Sequence, residues 1–196
     1  MAILEEASLG YSDELSAIND MLAAIGESPV NSLEGDPNAD VANCRRILNQ
    51  VNREVQGRGW TFNIEEGAVL IPDAQTGFIQ FTSDFLKMSS TGGTPYVSRN
   101  GLVYDRLNGT DRFTGPVSVD LVRLREYSDM PECFRSYIIV KACRRFNIRF
   151  FGAGEIEGSL QEQETEAWIM CNEYELDYGN FNQLDGDAWV AGKANR

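Results

Sequence analysis

Histidine is absent from all 196 residues. Without it there can be no Ser-His-Asp triad, no Cys-His dyad, no HExxH metal site and no imidazole proton shuttle. Cysteine is scarce: Cys44, Cys133, Cys143 and Cys171 stand far apart with no CxxC pair. Neither a zinc ribbon nor a thioredoxin-like redox pair is written in that spacing, and the four thiols are expected to pack as small buried hydrophobes in a reducing environment. No stretch approaches the ~18 apolar residues of a membrane span. The opening MAILEEASLG holds two glutamates and no basic residue, which does not read as a signal peptide, so a soluble chain made in the cytoplasm is expected. Basic residues are few, 17 Lys and Arg against 30 Asp and Glu, for a net charge of −13. Capture of free nucleic acid, which needs a basic surface to neutralise phosphates, is disfavoured. Gly92-Gly93 and Gly152-Ala153-Gly154 fit no phosphate-binding loop and read as turns, and no residue is assigned to a cofactor or a metal.

What is present is enough apolar sequence, 42% of the chain, to bury a core. After Ser12, read as an N-cap followed by Asp13 and Glu14, the residues Leu15, Ile18, Leu22 and Ile25 repeat at helical steps until Gly26. Asp36-Pro37 opens a second helix with the stripe Val41, Cys44, Leu48, Val51 and Val55, ended by Gly57 and Gly59. From Trp60 to about Tyr127 the period falls to two. Asn100-Gly101 between Tyr96-Val97-Ser98-Arg99 and Leu102-Val103-Tyr104-Asp105 predicts a two-residue hairpin turn. A further strand runs through Val117, Val119 and Leu121, with shorter candidates at 61–64, 68–71 and 78–81. After Pro131 the stripe Ile139, Cys143, Phe146 and Phe150 predicts a third helix. A capping box at Ser159 and Glu162 then introduces a fourth, with Leu160, Ala167, Cys171, Tyr174 and Tyr178 on its apolar face. The reading is α+β: an antiparallel bundle of about four helices over 12–59 and 128–178, a small antiparallel β domain inserted at 60–127, and a C-terminal arm at 179–196. Trp60, Trp168 and Trp189 read as packing anchors.

Charge is strongly segregated. Residues 150–192 contain ten acids and no Lys or Arg, a block of −10, whereas Arg135, Lys141, Arg144, Arg145 and Arg149 against Glu132 make the preceding helix +4. The two helices can pair with each other, as exposed ion pairs each contributing about 0–1 kcal/mol. Alternatively, acids and arginines face different molecules.

Four segments carry a resemblance: GESPVNSLEGDPNADVANCRRILNQVNREVQGRGWTFNIEEG at 26–67, DMPECFR at 129–135, RFFGAGEIEG at 149–158 and EYELDYGNFNQLDGDA at 173–188. Together, in this order, they resemble the tail tubular protein A family of short-tailed bacteriophages (podoviruses), the head-to-tail adaptor or gatekeeper ring of the virion. The likeness covers about half the chain and is weakest at 1–10, across 73–116 and over the last eight residues. It implies a helical bundle carrying a β-rich domain and a dodecameric ring between the portal and the tail nozzle, tail tubular protein B. Tail fibres attach around the junction and genomic DNA passes through the channel. It further implies location in the virion tail after synthesis in the host bacterial cytoplasm, a role in genome retention and ejection, no cofactor and no catalytic residue. On this reading Arg144, Arg145 and Arg149 order the subunit or portal contact, with Phe181 and Trp189 of the arm as further contacts, and acidic walls let DNA slide.

Two other classes are carried forward. A glycan-binding or glycan-cleaving tail protein, acting on surface polysaccharide, needs only two carboxylates. Glu155 and Glu162 are the candidate pair, with Tyr96, Tyr104 and Phe113 as aromatic platforms, although a run of helical glutamates is more often a solvated face. A nucleic-acid binder would use Phe146, Phe150 and Phe151 among the arginines as stacking platforms. Their place on the apolar stripe favours core packing instead.

Overall fold

A computed structural model describes residues 11–33, 39–91 and 95–178. Helices α1 (Tyr11–Ala23) and α2 (Ala39–Gln56) lead into a five-stranded sheet, β1 (Ile64–Leu70), β2 (Phe85–Ser90), β3 (Pro95–Arg99), β4 (Leu102–Asp105) and β5 (Val117–Arg123). A short turn at Tyr127–Asp129 precedes α3 (Glu132–Phe146), a π-helical segment Asn147–Phe151 and the long α4 (Gly154–Tyr178). The fold is α+β, as the change of period predicts.

The α2 stripe Val41, Cys44, Leu48, Val51 and Val55 is buried throughout, joined by Ile47. It meets Ala17, Ile18, Met21 and Leu22 of α1 and Phe134, Ile138, Ala142 and Phe146 of α3 in one core. α1 already includes Tyr11 and Ser12, so Ser12 is not the residue before the helix. Glu14 does not sit in solvent at the helix start either. Its side chain is 3% exposed, and both oxygens take bonds from Arg45 at 2.6 and 2.9 Å. At the other end of α1, Gly26 has φ +80° and Glu27 N–H donates to the Leu22 carbonyl at 2.9 Å. This is the Schellman stop that only a residue free to adopt positive φ makes cheaply. The Asp36-Pro37 helix start and Gly92-Gly93 lie outside the described residues.

The sheet is antiparallel in the order β1-β5-β2-β3-β4. Asn100 and Gly101 both take positive φ, 52° and 74°, and pair Arg99 with Leu102 and Tyr96 with Asp105, as a two-residue hairpin requires. Val119 and Leu121 of β5 form a second core with Ile79, Phe85, Met88 and Val103. Two of the three short strand expectations are corrected, and the third, at 68–71, is met by β1 up to Leu70. Residues 61–63 form a turn closed by Asn63 N–H to the Trp60 carbonyl, and 78–81 makes only isolated bridges.

The four thiols are unpaired, with Cys44, Cys143 and Cys171 buried and Cys133 partly so. Burial pushes the three buried thiols up to about 12, where they behave as small apolar groups. α4 starts at Gly154, so Ser159 and Glu162 lie inside the helix and form no capping box. The turn before it is made instead by Gly152 at φ +62°, whose N–H donates to the Asn147 carbonyl at 2.7 Å.

Candidate assembly surface

α3 packs against both α2 and α4, and its cations are shared between them. Arg144 donates from Nε to Glu157 at 2.7 Å and from Nη1 to Glu164 at 2.8 Å, and Lys141 reaches the other Glu164 oxygen at 3.3 Å. Arg145 turns the other way and makes a two-pronged bond to Glu54 of α2, at 2.7 and 3.1 Å. Arg135 pairs with Glu132 on its own helix. Ion pairs within the chain therefore account for all four α3 cations, although only Lys141 and Arg144 pair with the acidic α4. Arg149, in the π-helical segment that follows, differs: its described bond goes to the neutral Gln50 at 3.2 Å. Lys141, Arg144, Arg145, Ile148, Arg149 and Glu164 line a shallow groove of about 340 Å³.

These pairs set a pH response. Burial works against the ionised Glu164, but the Arg144 hydrogen bond and the nearby Lys141 charge outweigh it and hold its carboxyl below the usual range. Glu54 is lowered in the same direction, chiefly by its bond to Arg145. A carboxyl with a depressed folded-state pKa contributes stability above its unfolded pKa and loses it as pH falls through the folded one. Urea midpoints are accordingly expected to drop below about pH 5, and the combination of Glu164→Gln and Glu54→Gln to flatten that drop. An identical pH profile in the double variant would show that these clamps do not carry the acid sensitivity.

The π-helical turn after α3 changes the face that follows it. In a continuous α-helix Phe150 would stack beneath Phe146 on the core stripe, but the wider turn shifts the phase. Phe146 stays fully buried, while Ile148, Phe150 and Phe151 are 59, 43 and 44% exposed. The last two rings lean on Phe146 at 5.1 and 5.7 Å. The expectation that all three phenylalanines pack in the core is thus corrected for Phe150 and Phe151.

α4 buries Leu160, Ala167 and Cys171, with Tyr174 half-buried and Tyr178 exposed outside the core, its ring stacked on Tyr174 at 4.4 Å. Its opposite side carries Ile169, Met170 and Leu176 at 51 to 60% exposure. The exposed Glu155, Glu162, Glu166, Glu173 and Asp177 lie on the same side, and among the described residues none of the five is in an ion pair. Sequence reading missed this apolar series because it sought a single stripe on the helix. The signal was a second i, i+1, i+7 set on the far side.

Glu155 and Glu162, proposed as a catalytic pair, are both solvent-exposed on this face, two helical turns apart. Glu162 lines an open depression with Gly158, Gln161, Thr165 and Glu166, and Glu155 is not part of that lining. Of the aromatic platforms, Tyr96 and Phe113 meet edge to face at 6.0 Å against the sheet core, and the Arg99 guanidinium covers Tyr104 at 3.7 Å. Phe181, Trp189, Asp185 and Asp187 lie outside the described residues. Among the described residues no three His, Cys, Asp or Glu side chains converge on a metal position, and no helix is long and apolar enough to cross a membrane.

Exposed apolar side chains set among segregated charge on a small α+β body are features of a protein that packs against other proteins. A family model described as tail tubular protein matches residues 15–181, and the chain belongs to that family of bacteriophage tail structural proteins. Among known proteins it is similar to tail tubular protein A of Klebsiella phage KP34, 34% identical over 121 residues, which is 61% of this chain and 63% of that relative. The alignment therefore spans somewhat under two thirds of the relative's length.

Proposed function

We propose that the protein is a ring-forming head-to-tail adaptor of the virion, joining the portal to the tail nozzle, continuing the DNA channel and supporting tail-fibre attachment. The observation that carries this reading is family membership over residues 15–181. The surface supports it with a charge layout in which, among the described residues, the outward side of α4 leaves five acids outside any ion pair and the π-helical turn after α3 carries Arg149, whose described bond goes to a neutral glutamine. A ring of identical subunits needs two different faces that fit one another, and segregated charge supplies them. The overall surplus of acid, −13, suits a conduit that repels the DNA backbone so that the genome slides.

Within this reading Arg144 and Arg145 hold α3 between its neighbours and shape the contact from behind, and Arg149 reaches outward. Phe181 and Trp189 of the 179–196 arm are proposed as further contacts to a neighbouring subunit or the portal. Negative-stain images of the purified protein, alone and mixed with portal, should show rings, coaxial with the portal in the mixture. Monomers in both preparations would remove the adaptor reading.

A further inference from the structure

Two exposed faces carry charges that no described residue neutralises, and the two are of opposite sign. One is the outward side of α4, where Ile169, Met170 and Leu176 are interleaved with acids over a length of about 22 Å from Glu162 to Asp177. The other lies at the end of α3. There Ile148, Phe150 and Phe151 are exposed beside Arg149. Arg46 belongs to the same patch: it is exposed, has no ion-pair partner among the described residues, and stands one turn before Gln50, the residue that Arg149 bonds.

We propose that these faces meet between copies of the chain, the outward side of α4 in one subunit docking on the Arg46, Arg149 and phenylalanine patch of the next. This rests on the ring-forming reading above and locates its contact. Each face has an apolar centre with charge around it, the usual plan of a protein–protein interface. The signs choose the occupant. Two α4 faces cannot pack on each other without bringing unpaired acids against acids, a repulsion that disfavours a closed two-fold dimer. A second copy offers the cationic and aromatic counterpart. Because α3 lies between α2 and α4, a subunit that covers one face leaves the other open. The contact is thus head-to-tail and propagates until it closes.

The test uses full-length chains and mass photometry. One variant reverses the α4 face (Glu166→Lys with Glu173→Lys), and the other reverses the patch (Arg46→Glu with Arg149→Glu). All four positions are exposed or partly exposed, so thermal unfolding should show both variants folded. Each variant alone is expected to lose ring mass by about tenfold or more. Mixed together they should recover rings, because each reversed face then meets the reversed partner face of the other variant. Wild-type-like rings from either single variant would overturn the proposal, as would a mixture that stays dissociated. Normal rings that no longer capture portal would assign the α4 face to the portal and overturn it too. If the wild type forms no ring, alone or with portal, the adaptor reading itself falls, an outcome separate from the others.

Discussion

Phe134→Ala is expected to destabilise the protein by about 4 kcal/mol, near the middle of the range for emptying a buried phenylalanine site. Phe134 is fully buried, and its ring lies 4.8 Å from both Trp60 and Phe62 and 5.7 Å from Tyr174. With Phe134 on α3, the cluster joins three separate stretches: the chain leaving α2, α3 itself and the far end of α4. Trp168 extends the cluster, 5.6 Å from Trp60 and 5.3 Å from Tyr137. The cavity cannot collapse easily, because each ring around it is already held by another ring or by the core. Urea unfolding should show the loss. Hydrogen exchange should show the last turns of α4 opening first, since Tyr174 would lose the ring it packs against at 5.7 Å. A loss below about 1 kcal/mol would mean that the aromatic cluster is not what ties α4 down.

The parts of the fold legible in sequence are those with regular periods. The α2 stripe and the Asn100-Gly101 hairpin follow from spacing and from one turn dipeptide, because local geometry alone decides them. β2 was not legible, and its irregular pairing explains why. Its register against β5 shifts between Phe85 and Lys87, and this places Phe85 and Met88, three residues apart, in the same core, so no alternation is visible. The exposure of Phe150 was hidden in the same way by a π turn that leaves no mark in hydrophobic spacing. Of the candidate surface, the segregation of charge was legible, but which arginines are already committed was not. Arg145 finds Glu54 and Arg45 finds Glu14 across sequence separations of 91 and 31, and such partners emerge only when the helices pack.

Asn63→Leu is the second substitution with a large expected effect, about 3 kcal/mol, and it acts where helices and sheet join. Asn63 is fully buried. Its Oδ1 accepts the Trp60 N–H at 2.8 Å, and its Nδ2 donates to the carbonyls of Gln56 at 2.9 Å and Arg123 at 3.1 Å. Leucine, close to asparagine in size, would leave the buried Trp60 N–H without its acceptor and take one bond each from the Gln56 and Arg123 carbonyls, of which Gln56 keeps the Gly59 N–H at 3.1 Å. A buried group left unpaired costs about 1–3 kcal/mol before the surroundings relax. The buried Gln56 continues the network, donating to Asn52 at 2.8 Å and accepting the Arg125 N–H at 2.8 Å. Gln56→Leu should therefore cost a similar amount, and the double variant less than the sum, because the two side chains share one network. The consequence reaches assembly. These bonds tie the end of α2 to the strand that leaves the sheet at Arg123, so they fix how the sheet sits on the bundle. A ring closes only if every subunit repeats the same angle. Asn63→Leu should then unfold at lower urea, followed by Trp60 fluorescence, and at concentrations where it remains folded it should give rings of broadened mass. Unchanged stability would show that water or a neighbouring group satisfies the orphaned atoms. Uniform rings from a destabilised variant would show that the angle between bundle and sheet is set by the contacts between subunits instead.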